Sequence, residues 1–320
     1  MANGNELREP WLISAWPGMG NVAAGAGSYL VAKLGAKLVF EMPSSEFFDV
    51  QTIEVKDGLA RSGRLPRSLI FEWRNPKNNH DILIFLGEGQ PQHNGYAFCH
   101  RLLDYAMQRG VKRVFTFAAM ATQLHPSSTP RVFSVATEND ELHEMKKLGA
   151  EPLQEGQISG LNGVLLAACA ERNLPGVCLL GELPFFAAGV PNPRASMAVL
   201  ETFTKLAGID LDFEEIQQQA ETVQQGLLQL LEKMKETAQK QADEEGMNIP
   251  EPEENGEDDN EQDKTERSEP DDATRLRIEH LFEMALEDRA HAFRLKQELD
   301  RLKIFEHYEN RFLDLFKKGE

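Results

Sequence analysis

The chain has 320 residues, 41% of them hydrophobic, and a formal net charge of −18. That length accommodates one large α/β domain with appendages, and no apolar run approaches the ~20 residues that cross a bilayer. The amino-terminal stretch MANGNELREP is polar and has no signal-like apolar segment, so the protein reads as soluble and cytoplasmic, with no membrane partner. Fifteen acidic residues lie between Asp243 and Asp272, against Lys264 and Arg267. The remainder is only mildly acidic, and nucleic-acid binding is disfavoured because phosphate contacts need basic patches. Cys99, Cys169 and Cys178 form no C-x-x-C pair and read as buried reduced thiols.

Residues 11–40 predict a strand, a glycine turn, a helix and a second strand, one βαβ unit. The turn is Pro17-Gly18-Met19-Gly20-Asn21, and Gly35 closes the helix. Gly18 and Gly20 allow close backbone approach, and a following helix N-terminus can receive an anion. Two readings of the turn stand. One is a phosphate or nucleotide site. The other is tight packing of helix on strand. Ala23 stands where the dinucleotide fingerprint needs its third glycine, and no Lys-Ser/Thr pair marks a P-loop.

Phe47 and Phe48 are expected in the core. Strands follow near residues 52–56 and 67–73, separated by a turn region at 58–66. Residues 81–86, in which Ile82–Leu86 is continuously apolar, read as a strand buried on both faces. A helix at 96–109 and strands at 111–118 and 131–136 come next. Short helices at 139–148 and 164–171 and a strand at 177–180 complete the pattern. Strands alternating with helices imply a mostly parallel sheet, whose ligands gather beyond the strand carboxyl ends. Those ends supply Gly18, Gly20 and Asn21, then Gly87, Glu88 and Gln90, then Glu138, and last Glu182. Carboxylates there can perform acid/base work or bind a cation, but they also cap helices. The histidines form no metal-spaced cluster, and neither G-x-S-x-G nor H-E-x-x-H occurs. No cofactor and no metal is expected.

Four pieces in order carry a family resemblance. They are Trp16-Pro17-Gly18-Met19-Gly20 with Tyr29-Leu30, and Ile84-Phe85-Leu86-Gly87-Glu88-Gly89-Gln90-Pro91. The third is Gly156-Gln157-Ile158-Ser159-Gly160-Leu161-Asn162-Gly163-Val164. The last is Leu180-Gly181-Glu182 with Pro191-Asn192-Pro193-Arg194. Over residues 10–240 the chain resembles the proteasome assembly chaperone two family, particularly its archaeal and bacterial members. The resemblance implies an α/β fold in which a mostly parallel sheet is flanked by helices, a phosphorylase-like sandwich. It implies no established common activity. Eukaryotic relatives act in pairs on the proteasome α-ring, and prokaryotic ones self-associate. The resemblance also adds Asn162 to the cleft formed by Gly18, Gly20, Asn21, Gly87, Glu88, Gln90 and Glu182. Lys318-Gly319-Glu320 does not match the hydrophobic–tyrosine–any tail that docks on α-rings.

A helix at 193–207 is expected to cover the sheet. Asp212 can cap the next helix, at 213–242. There Ile216, Ala220, Val223, Leu227, Leu230 and Met234 make a heptad seam. A stripe of that length exposed on a monomer would be unusual. Residues 243–272 read as an acidic disordered linker, and 273–317 as one amphipathic helix in need of a partner.

The expected organisation is therefore an α/β domain at 1–210, a long helix at 211–242, the linker at 243–272 and a C-terminal α-helical extension at 273–320. The first functional reading is a chaperone-like assembly protein acting on an unidentified protein client. It is expected to be a homo-oligomer through Ile216, Val223, Leu227, Leu230 and Met234, with the resemblance alone favouring a trimer. The alternative is a nucleotide- or small-molecule-binding enzyme, ligase- or phosphorylase-like, using the strand-end cleft.

Overall fold

The apolar run Trp11–Ala15 forms the first strand (β1), buried along its whole length. The computed structural model describes residues 6–43, 45–50, 53–77, 79–244, 272–287, 291–302 and 304–316. Of the expected linker, residues 245–271 lie outside them, and Asp243, Glu244 and Asp272 are helical. They fall into two units, Met1–Gln225 and Gly226–Glu320.

In the first unit the turn after β1 leads into helix Val22–Leu34 (α1), which Gly35 ends in the left-handed conformation. Strand Lys37–Glu41 (β2) follows. Then come Ile53–Lys56 (β3), Leu59–Ser62 (β4), Ser68–Trp73 (β5) and Ile82–Gly87 (β6). Helix Gly95–Gln108 (α2), strands Arg113–Thr122 (β7) and Val132–Ala136 (β8) and helix Asn139–Lys147 (α3) come next. Glu151–Pro152 (β9), Leu161–Glu171 (α4), Gly176–Pro184 (β10) and Pro193–Ala207 (α5) complete the domain.

Eight strands make one sheet in the order β2-β5-β6-β1-β7-β10-β8-β9. The central run β6-β1-β7-β10 is parallel, which is why Leu12, Ile13, Ile84, Phe115 and Leu179 are all fully buried. Helices α2 and α4 pack together on one face, and α1 packs with α5. Phe47 and Phe48 are core residues, as expected. The fold is the α/β arrangement with a mostly parallel sheet and C-terminal helices.

Three details differ from expectation. β2 points the same way as β1, but β5 and β6 lie between them, so the opening βαβ unit crosses over two strands. The supposed turn region at 58–66 contains β4. Asp57 and Gly58 both have positive φ and form the two-residue turn of a β3–β4 hairpin. β8 runs antiparallel to β10, which moves its carboxyl end to the opposite edge of the sheet.

Asp212 Oδ1 accepts the Glu214 amide and starts helix Glu214–Glu244 (α6). Ile216, Ala220 and Leu227 are buried within the single chain, and so is Leu231, whereas Leu230 is 38% exposed. The inner row steps by four after Leu227 because a straight helix has 3.6 residues per turn rather than 3.5. Among its described residues the second unit has three further helices, Asp272–Glu287 (α7), His291–Arg301 (α8) and Phe305–Asp314 (α9). The single long helix expected there is thus divided. α7 packs on α8 and α8 on α9, and Ile278, Phe282, Leu295, Leu299 and Phe312 are buried. Arg311 pairs with Glu279 through two 2.6 Å hydrogen bonds.

Candidate functional site

Because β6, β1, β7 and β10 are parallel, their carboxyl ends share one edge. The sequence-predicted residues there fall into separate groups. Trp16 N donates to Asn162 Oδ1 at 3.1 Å, and Asn162 Nδ2 donates to Trp16 O at 3.3 Å. Asn162 is thereby spent joining the end of β1 to the first turn of α4. Gln90 does similar work: its Nε2 donates to Pro17 O at 2.7 Å, and its Oε1 accepts the Leu161 amide at 3.0 Å. A Cβ on Gly18 would lie 3.5 Å from Asn162 Nδ2. Gly18, Gln90 and Asn162 therefore come together.

Gly20 belongs to a different contact. It sits at φ +57°, and a Cβ there would lie 2.5 Å from Leu183 Cδ2. Its amide donates to Ala188 O at 2.8 Å, and its carbonyl accepts from Asn192 N at 2.7 Å. The Asn21 amide is donated to Gly18 O. Two N–H groups of the turn are thus already used inside the chain, as the packing reading requires.

The two carboxylates are also occupied. Glu88 is gripped by the Arg64 guanidinium and accepts the Arg67 amide at 2.9 Å. Arg64 holds the Glu88 carboxyl below the usual carboxylate range. Glu182 is 1% exposed. It accepts Thr122 Oγ1 at 2.7 Å and three donors of Arg131 at 3.0, 3.1 and 2.7 Å. Burial pushes its carboxyl up, but the hydrogen bonds from Arg131 and Thr122 outweigh it and leave it below the ordinary value. β6 and β10 are three strand spacings apart, so Glu88 and Glu182 are separated by roughly 14 Å. They do not converge on one reacting atom. Glu138 does not belong to this edge at all: it precedes α3 at the other end of β8, where its neighbour Thr137 meets Gly176 at the start of β10. Among the described residues no group of three His, Cys, Asp or Glu could hold a metal ion.

Sequence reasoning missed Arg64, Arg67 and Arg131. Arg131 was legible only through strand direction, since an antiparallel β8 brings its first residues to this edge. It also missed Gly87's neighbours. A Cβ on Gly87 would lie 2.7 Å from Trp16 Nε1, and Ser68 is paired opposite Gly87. Trp16 Nε1 and Ser68 Oγ are buried without a hydrogen-bond partner.

Residues 12–231 match the PAC2 family. The chain belongs to it. A curated relative, an uncharacterized protein of Methanocaldococcus jannaschii, is 25% identical over 72% of this chain and 84% of its own length. The fold is shared with PbaB of Pyrococcus furiosus, described as an archaeal proteasome activator (TM-score 0.61, 22% identity, 71% of this chain and 96% of that one). It is also shared with a proteasome-assembly chaperone homologue of Mycobacterium tuberculosis (TM-score 0.60, 21% identity, 68% and 94%). The family match ends at residue 231, before the helices at 272–314. Among the described residues no helix is long and apolar enough to cross a membrane.

Proposed function

We propose that this PAC2 protein is a self-associating, chaperone-like assembly protein that acts on a protein client rather than on a small substrate. The observation that carries the reading is the state of the strand-end edge. Its carboxylates are each held by arginine and lie far apart, and Asn162, Gln90 and the Gly20 backbone are spent on internal hydrogen bonds. General acid/base work needs groups within hydrogen-bond reach of one substrate. The names of PbaB and of the mycobacterial homologue supply the client class, proteasome subunits. Self-association through the α6 stripe has less support than its sequence suggested, because Ile216 and Leu227 are already covered in one chain.

The test is co-expression with proteasome α-subunits from the same source, read by native mass spectrometry. A complex with α-subunits, or a change in their assembly state, supports the proposal. Unchanged α-subunit assembly overturns the client class.

One observation favours a second reading, a small polar ligand bound at the β6 end. Trp16 Nε1, against Gly87, and Ser68 Oγ, on the residue paired with Gly87, are buried without partners. A thermal-shift panel of nucleotides and carboxylates separates the readings, because a ligand specific to the folded state raises its melting temperature.

A further inference from the structure

Among the described residues the sheet ends at β2, which pairs only with β5. An edge strand presents a row of backbone groups ready to pair with another chain. Its sequence is Lys37-Leu38-Val39-Phe40-Glu41, and this order is self-complementary. When two copies run antiparallel about a twofold axis through Val39, Lys37 of each faces Glu41 of the other. Leu38 then lies opposite Phe40, and Val39 opposite Val39. Each copy supplies the same patch, as an isologous contact requires.

The exposed apolar surface points to the same place. Among the described residues of the first unit, nine large apolar side chains are exposed, and six of them lie between positions 38 and 59. They are Leu38 and Val39 on β2, Val50 after it, and Ile53, Val55 and Leu59 on the hairpin that joins β2 to β5. The register shift between Leu38 and Phe40 leaves Val39 without an opposite residue on β5, while Phe40 stacks on Tyr105 at 4.7 Å. Two of the six, Leu38 and Val39, are on the sheet edge itself, and the other four follow in the connection from β2 to β5; exposed apolar side chains on an edge strand mark an interaction surface.

We infer that β2 is the self-association edge: two copies of this chain pair antiparallel through Lys37–Glu41 and continue the sheet across a twofold axis. This rests on the self-association proposed above and names its surface. It yields even-numbered assemblies, in place of the trimer favoured by family resemblance.

The experiment uses charge exchange on the full chain, with sedimentation velocity at micromolar concentration. Lys37→Glu places glutamate against glutamate at both ends of the pair, and Glu41→Lys places lysine against lysine. Each variant alone should associate about tenfold more weakly than the parent. Mixed one to one, the two variants restore both opposite-charge pairs and should re-associate as heterodimers. Lys37 and Glu41 are exposed, and Glu41 is also paired with Arg67 within the chain, so circular dichroism and thermal unfolding check that each variant remains folded. A parent chain that stays monomeric overturns this inference and the self-association reading together; a charged, bulged edge is also a device against pairing. Variants that associate as tightly as the parent, an odd-numbered parent, or separated variants that fail to re-associate on mixing overturn the β2 edge alone. The last result would fit an edge that takes an extended segment of a client.

Discussion

Glu182 is almost fully buried, yet stays ionised because Arg131 and Thr122 direct their donors at it. Its folded value lies below the ordinary carboxylate range. The ionised form therefore contributes stability that is complete above that ordinary value and lost as pH falls through the lowered one. Glu182→Gln should cost about 2 kcal/mol at pH 7, the scale for hydrogen bonds to a charged group. In urea titrations, the gap between parent and variant should narrow as pH drops from 7 to 3. An equal gap at both pH values would mean that the lost stability is packing rather than charge. Gly20 is the other decisive residue. Gly20→Val puts a β-branched side chain in the left-handed region and against Leu183, which should cost at least about 2 kcal/mol. Leu183→Ala should recover part of that loss in a double-mutant cycle. A variant as stable as the parent would show that the turn is not closed by packing.

At the scale of elements, α6 separates two sets of leucines that a heptad count merges. Leu227 is buried, and Leu230 is exposed. Leu227→Glu should destabilise by about 3 kcal/mol, because it buries an unpaired charge or leaves a cavity. Leu230→Glu should stay within about 0.5 kcal/mol of the parent. Equal losses in thermal unfolding would restore the strict heptad seam. The β3–β4 hairpin carries a similar lesson. Asp57-Gly58 is a hairpin turn signal, but only Ile53–Lys56 before it alternates, Leu59–Ser62 after it does not, and all are exposed. No buried face disciplines their pattern, so β4 was invisible to periodicity.

For the whole molecule, the division after Gln225 predicts that the PAC2 domain holds its own core. A chain ending at Gln225 should remain folded, with native circular dichroism in the α/β range. Its thiols supply an independent readout. Cys99, Cys169 and Cys178 are buried, and burial pushes each thiol up to about 12. They should resist Ellman's reagent in the native truncated chain and react in denaturant. Native reactivity would mean that the second unit is needed to close the first.

The sequence by itself determined what local chemistry controls. Trp11–Ala15 and Ile82–Gly87 are strands because their apolar runs tolerate burial on both faces. α1 ends at Gly35 because glycine accepts the left-handed cap, and α6 starts where Asp212 can hold the Glu214 amide. The family was legible too, since its glycine and asparagine motifs occur in order. Strand order and direction were not. Nothing in Val132–Ala136 states that it runs against β10, and that one reversal removed Glu138 from the edge and brought Arg131 to Glu182. The occupancy of the candidate residues was equally hidden. Whether Asn162, Gln90 and Glu88 are free or spent depends on partners 21 to 146 positions away in the chain. Tertiary structure decided these points because hydrogen bonds across a sheet edge join residues that share no local pattern.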